Sequence, residues 1–311
     1  MRRTNNTPKA SGCMLLVDYF ARVFAPLRLL GKAAQTSVLH RLTIARLGEY
    51  LERPARLDDL CDEVLCGFLA HRLAQGRAGH TVDKERSKLL AIANYAARKR
   101  HIPEFVDLPT LAPAEIVPRC WGRAELDKLL AASLSATGTI GACPASLWWS
   151  ALNLLFLYTG ERTSAALGIK WEWITADGWL SVPAAVRKGG KQSASYFLPS
   201  LVLQALEALR PYTGGGALVF AVPWLRGHKS GAFYLRYTKL LKRAGLPSGR
   251  RFKPQALRRT FATLLEAAGG DATAALGHSS RRVTVASYLD PTKAVGEPSS
   301  VVFARGLGAA K

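Results

Sequence analysis

Two arginines, one histidine and one tyrosine stand in short motifs in the second half of the chain. Arg162 lies in Thr-Gly-Glu-Arg-Thr-Ser and Arg258 in Leu-Arg-Arg-Thr-Phe. His278 lies in Leu-Gly-His-Ser-Ser, and Tyr288 follows in Ser-Tyr-Leu-Asp. An arginine guanidinium matches two phosphate oxygens at once, and a tyrosine oxygen can act as a nucleophile. These residue types predict covalent attack on a phosphodiester.

The composition indicates two domains and a polyanionic partner. The chain has 311 residues, 49% of them hydrophobic, which is enough to bury two cores. Its 43 lysines and arginines against 22 acidic residues give a formal net charge of +21. Such an excess attracts polyanions, and nucleic acid is the leading candidate. An anionic membrane surface is the alternative, but it usually needs an amphipathic anchor, and the sequence shows no convincing one.

The sequence gives no sign of a membrane span, a secretion signal or a metal site. The longest apolar stretch, residues 147–158, is shorter than the roughly 20 residues that cross a bilayer. The apolar patch at 14–17 is interrupted by Asp18, and no cleavage pattern follows it. The five cysteines are scattered, without Cys-x-x-Cys spacing or a histidine at ligand spacing. We therefore expect a cytoplasmic protein with reduced cysteines.

Apolar periodicity and breaker residues divide the chain into five regions. Residues 1–35 are predicted to form a basic N-terminal tail, with a short helix at 15–30 that breaks at Pro26. Residues 36–102 are predicted to form a helical domain, with helices at 36–52 and 57–73 and a third that Thr81 caps. Residues 103–119 are rich in proline and indicate a linker. A second domain covers 120–290, and residues 291–311 form a C-terminal tail.

The second domain is predicted to be mostly helical. Two short strands, at 178–182 and 195–198, flank a glycine-rich turn. The predicted helical segments are 123–132, 145–158, 200–209, 230–244, 257–268 and a segment that ends at 289. The predicted fold class is therefore mainly α, with a small antiparallel β-sheet in the C-terminal domain.

These motifs, at these spacings, resemble the tyrosine recombinases of the phage integrase family. The resemblance covers about residues 120–290 and, more weakly, the helical region 36–102. It implies a helical core-binding domain followed by an α+β catalytic domain. It further implies a site-specific DNA recombinase that acts in DNA integration and recombination through a 3′-phosphotyrosyl intermediate. The implied partner is double-stranded DNA, clamped between the two domains, with four protomers assembled on two sites. No metal or ATP is implied, because the covalent link keeps the bond energy.

The resemblance also implies a role for each motif residue. Tyr288 would be the nucleophile, and Arg162 and Arg258 would neutralise the nonbridging phosphate oxygens. His278 would donate a hydrogen bond to the phosphate. Arg259, the neighbour of Arg258, would have a structural role.

A lysine between the two predicted strands would donate a proton to the departing 5′ oxygen. Lys188, in Val-Arg-Lys-Gly-Gly-Lys, is the expected donor, and Arg187 and Lys191 compete for the role.

Three features depart from the family pattern. Gln255 stands where the family usually has a histidine, and glutamine cannot transfer a proton near neutral pH. Ala165 stands where many members have an acidic residue that helps to hold the site together. Tyr288 follows His278 by ten residues instead of nine, so residues 281–284 are expected to form a loop that accommodates one more residue.

Two other functions remain as alternatives. Gln255 and Ala165 suggest a DNA-binding protein of the same fold with weakened or lost strand cleavage. A type IB topoisomerase would share the chemistry, but the Leu-Gly-His-Ser-Ser segment favours the recombinase.

The third predicted helix carries basic residues that indicate either a solvated face or a face that contacts phosphates. These residues are Arg86, Lys88, Arg98, Lys99 and Arg100.

Overall fold

The computed structural model describes residues 14–111, 117–187, 192–221 and 230–294, which divide into two units. The first unit lies within residues 1–115 and the second within residues 116–311. Both are mostly helical, and the described strands, all in the second unit, form two small antiparallel sheets. The predicted fold class is therefore confirmed. Within the described ranges, no helix is both long and apolar enough to cross a membrane.

The first unit is built from helices packed on one apolar core. Leu47, Phe68 and Leu89 come from its three longest helices, and all three side chains are fully buried in that core. Its elements are α1 (Leu16–Tyr19), a π-helical turn (Phe20–Phe24), α2 (Ala25–Arg28), α3 (Ala34–Tyr50), a 3-10 turn (Leu57–Asp59), α4 (Asp62–Ala74) and α5 (Gly79–Arg98).

This unit begins earlier in the chain than the predicted boundary at residue 36. Leu16, Tyr19 and Phe20 are fully buried in its core, because apolar residues recur there at helical spacing. The chain also stays helical through Pro26 instead of breaking. A wider π-helical turn precedes this proline, which has no N–H to donate to the preceding turn.

The basic face predicted on α5 is divided between half-buried and exposed positions. Arg86 pairs with Asp83 and donates to the carbonyl of Leu108, so it holds the following segment against α5. Lys88 is half-buried, and burial lowers the pKa of its ammonium group. The three basic residues at 98–100 are exposed. Val106 and Leu108 are buried in the same core, so the first part of the predicted linker packs on the first unit.

The second unit is organised around a central apolar helix. Its elements are α6 (Arg123–Leu134), β1 (Thr139–Ile140), β2 (Cys143–Pro144), α7 (Ala145–Thr159), α8 (Thr163–Ala166), a 3-10 turn (Trp171–Trp173), β3 (Trp179–Val182), a 3-10 turn (Ala184–Val186), β4 (Ala194–Phe197), α9 (Ser200–Glu207), α10 (Arg210–Thr213), α11 (Ser230–Arg243), a 3-10 turn (Arg250–Phe252), α12 (Gln255–Ala267), α13 (Ala272–Leu276) and α14 (Arg281–Tyr288).

Helix α7 is buried on nearly every side, as its almost continuous apolar sequence requires. It packs against α6, α9 and α12, and Trp148, Leu152 and Leu155 are fully buried. Its one buried amide, Asn153, accepts from Tyr237 and donates to Ser133, so its polar atoms are satisfied. The helix ends at Gly160, whose φ of +60° favours glycine. The buried helix α7 therefore ends shortly before Arg162 and supports the segment that carries this residue.

The larger sheet is the predicted hairpin. Strands β3 and β4 pair antiparallel from Trp179 opposite Phe197 to Val182 opposite Ala194. The smaller pair, β1 with β2, has only two residues in each strand and was not predicted. Short strands of this kind carry too few residues to show a period of two.

Candidate active site

Arg258 lies on the first turn of α12 with its guanidinium buried between two helix ends. The residue is 1% exposed. Its Nη1 donates to the carbonyl of Gly160 at 2.5 Å, and its Nη2 donates to the carbonyl of Leu276 at 3.0 Å. These carbonyls lie at the C-terminal ends of α7 and α13, where the partial negative charge of a helix favours a cation. The two helix ends therefore fix the guanidinium in one orientation.

The same guanidinium also lies close to the tyrosine. It is within hydrogen-bonding reach of the Tyr288 side chain. Burial and, to a lesser degree, the positive charge of Arg162 lower the pKa of Arg258. Arginine nevertheless remains charged in proteins. A fixed guanidinium that stays charged is suited to an incoming anion.

Tyr288 is the last residue of α14 and lies against both Arg258 and His278. The Tyr288 and His278 ring centroids are 4.6 Å apart, and the Arg258 Cζ lies 5.3 Å from the Tyr288 centroid. The main chain around Tyr288 is anchored by Thr263, which donates to the Tyr288 carbonyl and accepts from the backbone N–H of Asp290. The end of the tyrosine-bearing helix is therefore held in place from both sides of the residue.

His278 is held by both of its ring nitrogens. Its Nδ1 lies 2.9 Å from the Thr284 hydroxyl, and its Nε2 lies 3.1 Å from Nη2 of Arg258. Because a guanidinium only donates, we assign Nε2 as the acceptor and place the ring proton on Nδ1. Burial and the charges of Arg258, Arg162 and Arg187 lower the pKa of His278 to about 4. The imidazole is therefore neutral at pH 7, and Nε2 needs a proton before it can donate to a phosphate.

Arg162 brings a second guanidinium to this place. It precedes α8 with an extended backbone, and its half-buried side chain has no hydrogen-bond or ion-pair acceptor among the described residues. Its charge lowers the pKa of both Arg258 and His278. The structure thus brings together four of the six predicted site residues.

The model of the phage integrase family matches residues 123–294, more than half of the chain and all of these four positions. The chain belongs to this family, that of the tyrosine recombinases.

Individual relatives are similar over most of this recombinase chain. Tyrosine recombinase XerC of Agrobacterium fabrum (strain C58) is 28% identical over an alignment of 255 residues, and the match covers 76% of each chain. A lambda integrase dimer bound to a COC' core site shares the fold with a TM-score of 0.67 and 20% identity. That match covers 86% of this chain and 96% of the other. The Tn1549 transposon integrase in complex with a circular intermediate DNA gives a TM-score of 0.69 at 15% identity, covering 94% and 99%.

Against the family pattern, Gln255 stands apart from the cluster. Gln255 is exposed on the first residue of α12 and makes no hydrogen bond with the described residues. Lys188 and Lys191 lie outside the described residues. Arg259 donates to the carbonyls of Arg119 and Arg251, so it holds main chain in place.

The extra residue between His278 and Tyr288 does not form the expected loop. Residues 281–284 are the first turn of α14. The irregular turn is at the other end of the helix, where the N–H of Leu289 donates to the carbonyl of Thr284 at 3.2 Å. This turn spans one residue more than a regular α-helical turn.

The cluster also contains Glu161 and Arg187. Glu161 was not among the predicted site residues, and Arg187 was considered only as a competitor of Lys188 for the role of proton donor. Glu161 is 2% exposed, and its Oε1 lies 2.7 Å from the Nε of Arg187, which is 7% exposed. The missing carboxylate at Ala165 therefore has a buried counterpart four residues earlier. The sequence signal was an acidic side chain directly before Arg162.

Proposed function

We propose that this chain is a site-specific DNA recombinase that cuts and rejoins strands through a 3′-phosphotyrosyl link. The observation that supports this most strongly is the contact of Tyr288 with the buried Arg258 and with His278. A nucleophile beside a fixed cation is the arrangement that attack on a phosphodiester requires.

In the cleavage step, the Tyr288 oxygen bonds to the scissile phosphorus and loses its proton. The bond between phosphorus and the 5′ oxygen breaks, and that oxygen takes up one proton from Lys188. The proton of Tyr288 passes to water, and Lys188 takes one up from water, so the step neither gains nor loses protons overall. A 5′ hydroxyl of a partner strand reverses it, and the phosphotyrosyl bond supplies the energy for rejoining.

Arg258 and Arg162 neutralise the charge that spreads over the nonbridging oxygens during transfer. Arg258 is fixed before the substrate arrives, so little reorganisation is needed at that side. Arg162 has its guanidinium free of acceptors among the described residues. His278 donates to the phosphate once Nε2 carries a proton, and Gln255 adds at most a hydrogen bond.

The proposed partner is double-stranded DNA, with four protomers on two sites. The net charge of +21 supports a polyanionic partner. Similar folds support it as well, since lambda integrase has been solved as a dimer on a core site and as a tetramer on a Holliday junction.

The test begins with a pool of duplexes that carry a randomised central region. Sequences retained by the protein are enriched, sequenced and resynthesised with a nick a few nucleotides beyond each possible cleavage position. A short strand that carries the freed 5′ hydroxyl then diffuses away, which traps the covalent intermediate. The adduct is counted on a denaturing gel for the wild type and for Tyr288→Phe.

We expect a labelled adduct with the wild type and none with Tyr288→Phe. Tight binding of the enriched duplex without any adduct would leave a DNA-binding protein that does not cut. Failure to enrich any duplex would contradict the DNA partner itself.

A further inference from the structure

Glu161 is a buried carboxylate among cations. The residue is 2% exposed, and Arg187, Arg162 and Arg258 are all close enough to interact with it or with its hydrogen-bond partners. Burying a carboxylate is costly unless ion pairs and hydrogen bonds compensate for the lost water. Burial of the Glu161 charge is therefore costly, and the contacts of its carboxylate must compensate for that cost.

Both oxygens of Glu161 are engaged. Oε1 lies 2.7 Å from the Nε of Arg187 and accepts a hydrogen bond from the Tyr196 hydroxyl at 2.7 Å. Oε2 accepts from the backbone N–H of Arg162 at 3.2 Å. Burial and the charge of Glu161 raise the pKa of Tyr196, which keeps that hydroxyl a donor. The carboxylate thereby links strand β4 to the main chain at the first arginine of the site.

Arg187 extends this link to the histidine segment. Its Nη2 lies 3.5 Å from the carbonyl of Leu276, the same oxygen that accepts from Arg258. Its Nη1 reaches the carbonyls of Gln192 and Ser193, at 3.3 and 3.4 Å, directly before β4.

The contact with the histidine segment is close. A Cβ on Gly277 would lie 3.1 Å from Nη1 of Arg187, so the guanidinium packs against the main chain directly before His278. Gly277 also has a φ of +63°, which favours glycine. The position before His278 is thus fixed both by its backbone angle and by the neighbouring guanidinium.

We propose that Glu161 and Arg187 are positioning residues for strand cleavage, and that Glu161 takes the place of the carboxylate that Ala165 cannot supply. This inference rests on the proposed function. Through this pair, the main chain at Arg162 is connected to the carbonyl of Leu276. The pair thereby holds in place the segments that position Arg258 and His278.

Loss of the carboxylate would leave Arg187 buried and without its counter-ion, next to Arg258 and Arg162. Like charges without compensation repel, and an unpaired buried charge forces its surroundings to rearrange. The segment at Leu276 would then shift, and with it the guanidinium of Arg258. The reaction should suffer more than DNA binding, because duplex affinity is spread over many phosphate contacts.

The test compares variants on the enriched duplex described above. Glu161→Gln removes the charge and keeps the size, and Glu161→Asp keeps the charge on a shorter side chain. Glu207→Gln is the matched control, because Glu207 pairs with Arg210 on the exposed surface of the same unit. The measurements are the single-turnover rate of adduct formation, the duplex Kd and the melting temperature.

We expect Glu161→Gln to form the adduct at least 100-fold more slowly, with a duplex Kd within threefold of the wild type. Glu161→Asp should recover at least tenfold of that loss, and Glu207→Gln should stay within twofold of the wild type. A Glu161→Gln rate within threefold of the wild type would overturn the inference. So would a parallel loss of rate, affinity and melting temperature, which indicates support of the fold alone.

A double variant covers the case in which Glu161→Gln does not fold. Glu161→Gln with Arg187→Gln removes both charges and leaves no buried unpaired ion. We expect it to fold and to cleave as slowly as the single variant, whereas cleavage at the wild-type rate would overturn the inference. If the wild type itself forms no adduct, the proposed function fails and this inference with it. If the wild type cleaves and Glu161→Gln cleaves equally well, only this inference fails.

Discussion

The low pKa of His278 predicts a specific loss of stability in mild acid. In the folded protein, burial and three arginines lower this pKa from 6.5 to about 4. The folded state therefore binds a proton less readily than the unfolded chain. Stability from this residue is complete above pH 6.5 and declines as the pH falls from about 6.5 towards 4.

The size of this effect follows from the shift. A change from 6.5 to about 4 corresponds to about 3 kcal/mol over the whole window. The His278 side chain is only half-buried, so solvent screening reduces the expected value to about 1–2 kcal/mol. In His278→Gln, which has no titrating ring, this part of the pH dependence should disappear.

Tryptophan fluorescence provides the assay, because all seven tryptophans lie in the second unit. The free energy of unfolding of that unit is measured in urea at pH 7.5 and at pH 4.5 for the wild type and for His278→Gln. His40 and His101, whose pKa values are also lowered, are present in both proteins and cancel in the difference. An equal loss of stability in both proteins on acidification, or a larger one in the variant, would refute the reasoning.

Three further substitutions test the site. Arg258→Ala should abolish adduct formation and lower the free energy of unfolding by about 2–4 kcal/mol, since the carbonyls of Gly160 and Leu276 lose their donor. Urea unfolding followed by tryptophan fluorescence measures this loss of stability. Unchanged cleavage would show that this arginine was misassigned. Lys188→Ala should slow cleavage of ordinary DNA. A substrate with sulfur at the 5′ bridging position should restore the rate, because a thiolate leaves without a proton. If the rate is not restored, Lys188 is not the proton donor. Gln255→His should leave adduct formation unchanged or raise it, and a large loss would show that glutamine has a role of its own.

The helices and the hairpin could be predicted because their signals are local. An almost continuous apolar run predicted a buried helix at 145–158, and α7 covers Ala145–Thr159. The predicted strands at 178–182 and 195–198 became Trp179–Val182 and Ala194–Phe197. Helical periodicity and glycine or proline breakers act within a few residues, so one sequence is enough to show them.

Contacts between distant segments could not be predicted in the same way. Glu161 and Arg187 are 26 positions apart, and only the packing of β4 against the end of α7 brings them together. The absence of a carboxylate at Ala165 was visible in the sequence, but its replacement by Glu161 depends on three-dimensional proximity. The buried segment at Leu16 was missed because its basic surroundings suggested a tail.

The position of His278 illustrates why the free site and the occupied site must differ. In the free protein its Nε2 accepts from Arg258, and burial together with three guanidinium groups holds its pKa near 4. A phosphodiester that binds Arg258 and Arg162 brings a negative charge into the same cluster, which opposes the effect of the arginines on the imidazole. It also offers the guanidinium of Arg258 a stronger acceptor than a neutral ring nitrogen. In the proposed reaction, binding of the phosphate would therefore both free Nε2 and favour its protonation, which would turn an acceptor into the required donor.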